Sequence, residues 1–182
     1  MKRRTLSTLC LTLVLLGVPA GIPGLLAADP DDELKAAIVL SFLRYSTWHQ
    51  LPAEGEPLTV GVVGRSSMIQ ALRRLFDGKS VNNHALRVEE IKVPVDARRC
   101  EIIYYATAVS TEIRQGLLDL QSAHALTIGE SDKFLESGGA VNLLPVEGHM
   151  SFEVSLEALQ RSAVDISSKL LRFGQVRKVR PS

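Results

Sequence analysis

The chain has 182 residues, of which 46% are hydrophobic, and a formal net charge of +1. Setting aside the 28-residue N-terminal segment discussed next leaves 154 residues, a length that suits one domain with its own core. The 18 basic and 20 acidic residues of this remainder give a net charge of −2. A mildly acidic domain lacks the basic field that binds nucleic acid or anionic lipid.

The N-terminus predicts export. Three basic residues, Lys2–Arg4, precede an uncharged, Leu-rich run from Leu6 to Val18, and small residues follow at Ala20 and Ala28. This order is typical of a secretory signal peptide. We predict cleavage after Ala28, with Ala20 as the alternative, and a mature protein in the periplasm. Glycines and prolines interrupt the apolar run, which argues against a membrane-spanning helix.

Cysteine usage limits the redox chemistry of the mature chain. Cys10 lies in the apolar run without the small residues expected before a lipidated cysteine, so a lipoprotein is not predicted. Cys100 then remains alone, and a disulfide within the mature chain is excluded. Two interpretations of Cys100 stay open: a small buried residue at a strand start, or a reactive thiol that bridges two copies.

The first element is a helix with an unusual apolar content. Asp29 is placed to cap it, Pro30 suits its first turn, and the following acids complement the helix dipole. We expect the helix to run to about Trp48, with Phe42, Tyr45 and Trp48 on one stripe. These aromatic residues are either core residues or anchors for a partner, because a helix that is apolar nearly all round is buried on more than one side or contacts another protein.

The remaining elements alternate between strands and helices. Ser66 or Ser67 is expected to cap the second helix, and Ser110 the third. The basic tail that includes Arg177 and Arg180 is expected to fray. The other predicted elements are strands Leu58–Gly64, Leu86–Val93, Glu101–Ala106 and Ala125–Ile128, paired strands Ala140–Leu144 and Met150–Val154, and helices Leu156–Ala163 and Ile166–Phe173. The order predicts an α/β fold: one domain, a mixed but mostly parallel sheet flanked by helices, and a C-terminal hairpin with helices.

No catalytic, cofactor or metal constellation is visible. The four histidines lack the partner spacing of a metal site. The turn Gly64–Ser67 follows a buried strand, but it has neither a phosphate-binding glycine pattern nor the second glycine of a nucleophile elbow. We therefore predict that the protein is not an enzyme. Glu153 lies on the polar side of a strand, where it is either solvated or a carboxylate with a fixed partner.

The order and spacing of several short segments resemble the YfiR-like periplasmic regulators, over roughly residues 34–174. None of the segments is specific by itself, and the Trp-Pro pair of the family pattern is broken here after Trp48. The matching segments are Lys35–Ala37 with Phe42 and Trp48, Val62–Gly64, Gly78–Lys79 with Val81–Asn82, Leu86 and Val88, Cys100–Tyr104, Leu126–Glu130, Gly138–Gly139, Phe152–Leu156 and Ser167–Arg172.

The resemblance implies an α/β domain that binds the periplasmic part of an inner-membrane diguanylate cyclase and represses it, which lowers cyclic di-GMP output and biofilm formation. It also implies that an outer-membrane lipoprotein can sequester the regulator and that disulfides influence it, although Cys100 has no partner in its own chain. A homodimer is compatible with this interpretation. The alternative is a small-ligand sensor module with a different membrane partner.

Export gives the first testable prediction. N-terminal sequencing of the protein purified from a periplasmic extract should begin near Asp29. Recovery of Met1 from the cellular protein would show that the segment is retained.

Overall fold

The computed structural model describes residues 29–64, 66–92, 96–108, 110–120 and 124–179. The predicted signal peptide, Arg65 of the strand-to-helix turn, Val93 at the end of a predicted strand and Arg180 of the tail lie outside the described residues.

The described residues form five α-helices, ten strands and one short 3₁₀-helix at Ala97–Arg99. None of these helices is long and apolar enough to cross a membrane. The helices are α1 Pro30–Tyr45, α2 Met68–Phe76, α3 Thr111–Asp119, α4 Leu156–Ser162 and α5 Ser168–Leu171. The strands are β1 Ser46–Trp48, β2 Leu58–Val63, β3 Ser80–Val81, β4 His84–Glu90, β5 Ile102–Tyr105, β6 Leu126–Gly129, β7 Val141–Val146, β8 His149–Ser155, β9 Val164–Ile166 and β10 Gln175–Arg177.

Eight strands form one sheet in the order β10-β8-β7-β6-β5-β2-β4-β3, and β1 pairs with β9 in a separate two-stranded ribbon. Strands β4, β2, β5, β6 and β7 are parallel, whereas β8 runs antiparallel to β7, and β3 antiparallel to β4. The predicted α/β class, the mostly parallel mixed sheet and the C-terminal hairpin are therefore confirmed.

The sheet is covered on both faces. Successive residues of β5 point to opposite sides, so Ile102 and Tyr104 enter one core and Ile103 and Tyr105 the other. The first core lies against α1, α2, α4 and α5, and the second against α3 and the segment around Phe134. Fully buried strands of this kind explain the nearly continuous apolar runs in the sequence.

Two helix boundaries differ from the prediction. Helix α1 ends at Tyr45, because Ser46–Trp48 turns into strand β1 and pairs antiparallel with β9. The expected helix Ile166–Phe173 is reduced to the single turn α5, since Ile166 belongs to that same ribbon. Both errors have one cause: a pairing between segments 120 residues apart, such as Ser46 with Ile166, overrides local helix preference.

The tail was also predicted wrongly in part. Gln175–Arg177 forms β10, which lies parallel to β8 at the edge of the sheet. Gly174 permits this approach, because a Cβ atom there would lie 2.1 Å from the ring of Phe152. Arg177 thus lies in a strand, and the Val179 amide donates a hydrogen bond to the Glu157 carboxylate at 3.1 Å, so the prediction of a frayed tail is wrong for these residues.

Candidate partner-binding face

Polar contacts fix the first turns of α1 to the rest of the domain. The Asp29 side chain accepts a hydrogen bond from the Asp31 amide at 3.0 Å, as expected for the predicted cap. The hydroxyl of Ser67, which precedes α2, donates to the Asp32 carboxylate. Lys35 forms an ion pair with Glu130 at the carboxyl end of β6. The amino-terminal half of α1 therefore cannot slide over the sheet without breaking polar contacts to two other elements.

The charges beneath α1 reinforce these contacts. Burial lowers the pKa of the Lys35 ammonium, but its hydrogen bond and attraction to Glu130 outweigh burial, so that the pKa lies above its ordinary value. Burial, together with the negative charges of Glu130 and Asp32, raises the pKa of the Tyr104 phenol. Lys35 is accordingly charged and Tyr104 neutral at physiological pH.

Strand pairing and one side-chain hydrogen bond fix the carboxyl end of α1. The chain passes directly from Tyr45 into β1, where Thr47 pairs with Asp165 and Trp48 with Val164. The indole N–H of Trp48 donates to the Glu101 carbonyl oxygen at 3.2 Å, just before β5. Helix α1 is thus anchored at both ends, and its solvent-facing side is presented on a rigid support.

The solvent-facing side of α1 carries a strip of apolar and small side chains beside its exposed charged residues. Leu34 and Tyr45 are 47% and 50% exposed, and they share this side with exposed Ala37 and half-buried Ile38 and Ser41. We call Leu34, Ala37, Ile38, Ser41 and Tyr45 the outer stripe of α1. Leu34 and Tyr45 lie near its two ends, and Ile38 also packs against the core beneath it.

Comparison with α2 shows that this composition is not required by the fold. Helix α2 packs beside α1 on the same face of the sheet and exposes Gln70, Arg73 and Arg74. A helix with one buried face normally has a polar outer side of this kind. The apolar outer stripe of α1 is therefore a surface feature that packing within the domain does not require.

The structure separates the three aromatic residues of α1 and β1 that the sequence placed on one stripe. Phe42 is fully buried and packs edge-on against Phe152, with ring centroids 5.1 Å apart. Trp48 is also buried, on β1. Only Tyr45 is available to a partner without rearrangement. Leu34 and Ala37 were not predicted as site residues, because in a helix that is apolar all round the sequence does not show which side faces solvent.

Glu153 has a fixed partner. Its carboxylate lies 2.8 Å from the guanidinium of Arg177 on the neighbouring strand β10, and its side chain is 15% exposed. The hydrogen bond to Glu153 and the attraction between the two charges raise the pKa of Arg177. The pair joins β10 to β8, and a role for Glu153 in partner binding stays a prediction.

Cys100 is 4% exposed and lies against Gly61 of β2, where a Cβ atom would come within 2.8 Å of its sulfur. Burial, together with the neighbouring charge of Glu101, raises the pKa of the Cys100 thiol from 9.0 to about 12. A buried neutral thiol is a poor nucleophile. Of the two interpretations left open by the sequence, this geometry favours the structural one.

A cavity of about 780 Å³ opens at the amino ends of the central strands. Charged side chains of both signs line it, among them Arg87, Glu89, Arg98, Glu101 and His124. Within the described ranges no group of three His, Cys, Asp or Glu side chains is placed to hold a metal ion. The serines of the predicted turn have local partners: the Ser66 hydroxyl accepts from the Met68 amide at 3.1 Å, and Ser67 donates to Asp32.

The sequence model of the YfiR/HmsC-like family matches residues 32–175. This range extends from the first turn of α1 to the start of β10, and the chain belongs to the family. The family consists of periplasmic regulators and not of enzymes.

The chain is also 24% identical over 182 residues to a curated protein of Hahella chejuensis, named protein-glutamate methylesterase/protein-glutamine glutaminase 2. The match covers 92% of this chain but spans only half the length of that relative. An identity this low over half a protein does not carry the enzymatic activity over to this chain.

The buried thiol predicts a specific alkaline instability. The unfolded chain loses the Cys100 proton above pH 9, whereas the native protein keeps it until about pH 12. Native stability should therefore fall as pH rises above 9, by about 1.4 kcal/mol per pH unit from this group. Urea unfolding at pH 7, 9 and 10 should show the loss in the wild type, and a smaller one in Cys100→Ala. Equal losses in both proteins would show that the thiol ionises in the native state.

Proposed function

We propose that this protein is exported to the periplasm and represses an inner-membrane diguanylate cyclase by binding the periplasmic part of that enzyme, which lowers cyclic di-GMP output. Membership of the YfiR/HmsC-like family supports a regulatory role. The observation that carries the proposal is the apolar outer stripe of α1, held rigidly by contacts at both ends of the helix.

Repression by binding needs only differential affinity. A regulator that binds the inactive conformation of its partner better than the active one shifts the population toward the inactive state. A tenfold bias requires about 1.4 kcal/mol. Two partly exposed side chains as large as Leu34 and Tyr45 supply more than this when a partner removes them from water.

The rigid position of α1 also favours binding of the partner. Because Lys35–Glu130 and Trp48–Glu101 hold the helix in place, the surface needs little ordering when it binds, and less of the binding free energy is lost as entropy. Phe42 and Trp48 are buried and contribute to this rigidity from within the core. An outer-membrane lipoprotein that sequestered the regulator would compete with the cyclase for the accessible surface of the domain.

A small-ligand sensor is the second candidate, and the charged cavity at the amino ends of the strands favours it. A ligand there would touch Cys100 and Glu101, next to the Trp48 anchor of α1. Titration calorimetry of the purified protein with periplasmic metabolites separates the two candidates, because a pure protein-binding regulator should give no saturable heat.

The face of α1 is tested by complementation. A strain lacking the gene should contain more cyclic di-GMP, and the wild-type gene should restore the level. Leu34→Asp/Tyr45→Asp should fail to restore it and should bind the periplasmic domain of the cyclase at least about tenfold more weakly, since each substitution places a charge in a desolvated contact. Leu118→Asp is the matched control, because Leu118 is 40% exposed on α3 and far from the stripe in the fold.

Immunoblots and thermal melts must show that the variants are folded and equally abundant. Unchanged cyclic di-GMP in the deletion strain, with no binding of the cyclase domain, would contradict the proposal. Equal loss of repression in both variants would place the contact outside the outer stripe.

A further inference from the structure

Charge is distributed unevenly along the chain that follows the predicted signal peptide. Residues 29–165 carry a net side-chain charge of −7, whereas residues 166–182 contain five basic residues and no acidic one. The overall charge of −2 conceals this separation, so the expected lack of a basic field holds only for the average of the domain. The five are Lys169, Arg172, Arg177, Lys178 and Arg180, of which Arg180 lies outside the described residues.

The fold holds the described part of this basic segment at one border of the domain. Leu170 of α5 is buried in the core, and Gly174 lies against the ring of Phe152. Strand β10 then pairs with β8 as the terminal strand of the large sheet. The segment therefore presents its side chains from a fixed backbone.

Ion pairing divides the basic residues of this segment into two groups. The Arg177 guanidinium lies 2.8 Å from the Glu153 carboxylate, and the charge of Glu136 also acts on it. Lys169, Arg172 and Lys178 are solvent-exposed, and no ion pair to any of them occurs among the residues that the structure describes. These three charges are therefore open to an external anion.

Two exposed apolar side chains lie among these charges. Phe173 is 77% exposed, whereas the other four phenylalanines are at most 3% exposed. Val176 is 46% exposed, and its register partner Val154 belongs to the core that α5 covers, so Val176 points to the side of the sheet that carries α5. We call these five exposed residues the C-terminal patch: Lys169, Arg172, Phe173, Val176 and Lys178.

We propose that the C-terminal patch binds the surface of a bilayer that contains anionic phospholipid. Ammonium and guanidinium groups pair with lipid phosphates, while an aromatic side chain enters the boundary between headgroups and acyl chains. The core of a protein interface, by contrast, is depleted of charged residues and has a larger apolar area. Two apolar side chains among three free cations therefore fit a lipid surface better than an acidic protein.

The composition of the patch also sets the strength of the contact. Each Lys or Arg near an anionic bilayer strengthens binding about fivefold, so three of them predict a preference of about a hundredfold for anionic over neutral lipid. The ring of Phe173 adds to the binding of either lipid, but one small apolar anchor does not hold a protein permanently at a membrane. The predicted association is therefore reversible and weakens with added salt.

The position of the patch relates it to the proposed function. The amide of Ser167, just before α5, donates to the Tyr45 carbonyl oxygen at 2.8 Å. Helix α5 therefore adjoins the carboxyl end of the outer stripe. If the proposed function is correct, membrane binding concentrates the regulator on the surface that carries the cyclase. Only this consequence rests on the proposed function, because the lipid contact is argued from the C-terminal segment alone.

Co-sedimentation with lipid vesicles tests the proposal without a protein partner. Protein expressed as the full chain and purified from a periplasmic extract should bind vesicles of phosphatidylcholine and phosphatidylglycerol, mixed at about three to one, roughly a hundredfold more tightly than vesicles of phosphatidylcholine alone. Lys169→Glu/Arg172→Glu/Lys178→Glu should remove this preference, because it reverses all three attractions. Phe173→Ser should weaken binding to both kinds of vesicle about tenfold and keep the preference.

Arg73→Glu/Lys92→Glu/Lys133→Glu is the matched control, since it changes the net charge equally at exposed residues outside the patch. It should bind the anionic vesicles within about threefold of the wild type, because distant exposed charges are screened. Thermal melts must show that both triple variants are folded. A wild type that does not bind the anionic vesicles, or equal losses in the two triple variants, would overturn the proposal.

Binding of the cyclase's periplasmic domain in lipid-free solution keeps this proposal distinct from the proposed function. Vesicle binding without cyclase binding would contradict only the proposed function, whereas cyclase binding without vesicle binding would contradict only the lipid contact. A wild type that ignores vesicles, together with a patch variant that no longer binds the cyclase domain, would assign the patch to a protein partner and overturn the lipid proposal.

Discussion

Parallel strands that are buried on both faces need a layer of helices on each side, and this requirement governs the whole domain. The strands around β2 and β5 have apolar residues on both faces, so neither face of the sheet can remain in water. Helix α1 precedes the first strand of the large sheet and still belongs to the layer that covers it. Its inner side, which includes Val39, Phe42 and Leu43, is buried for that reason. The contacts Lys35–Glu130 and Trp48–Glu101 then fix which side of the helix faces outward.

Much of this architecture was predictable because the signals are local. The Asp29–Pro30 start of α1, the serine caps of α3 and α4 and the apolar strands β2 and β5 all follow from side chains within a few residues. Where the prediction failed, a distant segment decided the outcome. The sequence of Ser46–Trp48 is compatible with a helix, and only the pairing with β9 makes it a strand. Strand β10 likewise depends on the approach of Gly174 to Phe152.

The candidate site was less predictable than the fold. A helix that is apolar on nearly every side contains too little contrast for periodicity to show which side faces solvent. Phe42, Tyr45 and Trp48 therefore could not be sorted into core and surface from the sequence. Burial sorts them: Phe42 and Trp48 are core residues, and Tyr45 is half exposed on the stripe. The outward position of Leu34 also becomes meaningful only once the buried side of α1 is known.

The outer stripe of α1 is the surface through which we propose that this protein acts, and photo-cross-linking in living cells can test this role. A photoreactive phenylalanine analogue replaces Tyr45 in one strain and Leu118 in another. Cross-links from position 45 to a membrane-bound cyclase are expected, and none from position 118. Cross-links to the cyclase from position 118, with none from position 45, would show that the protein acts through a different surface.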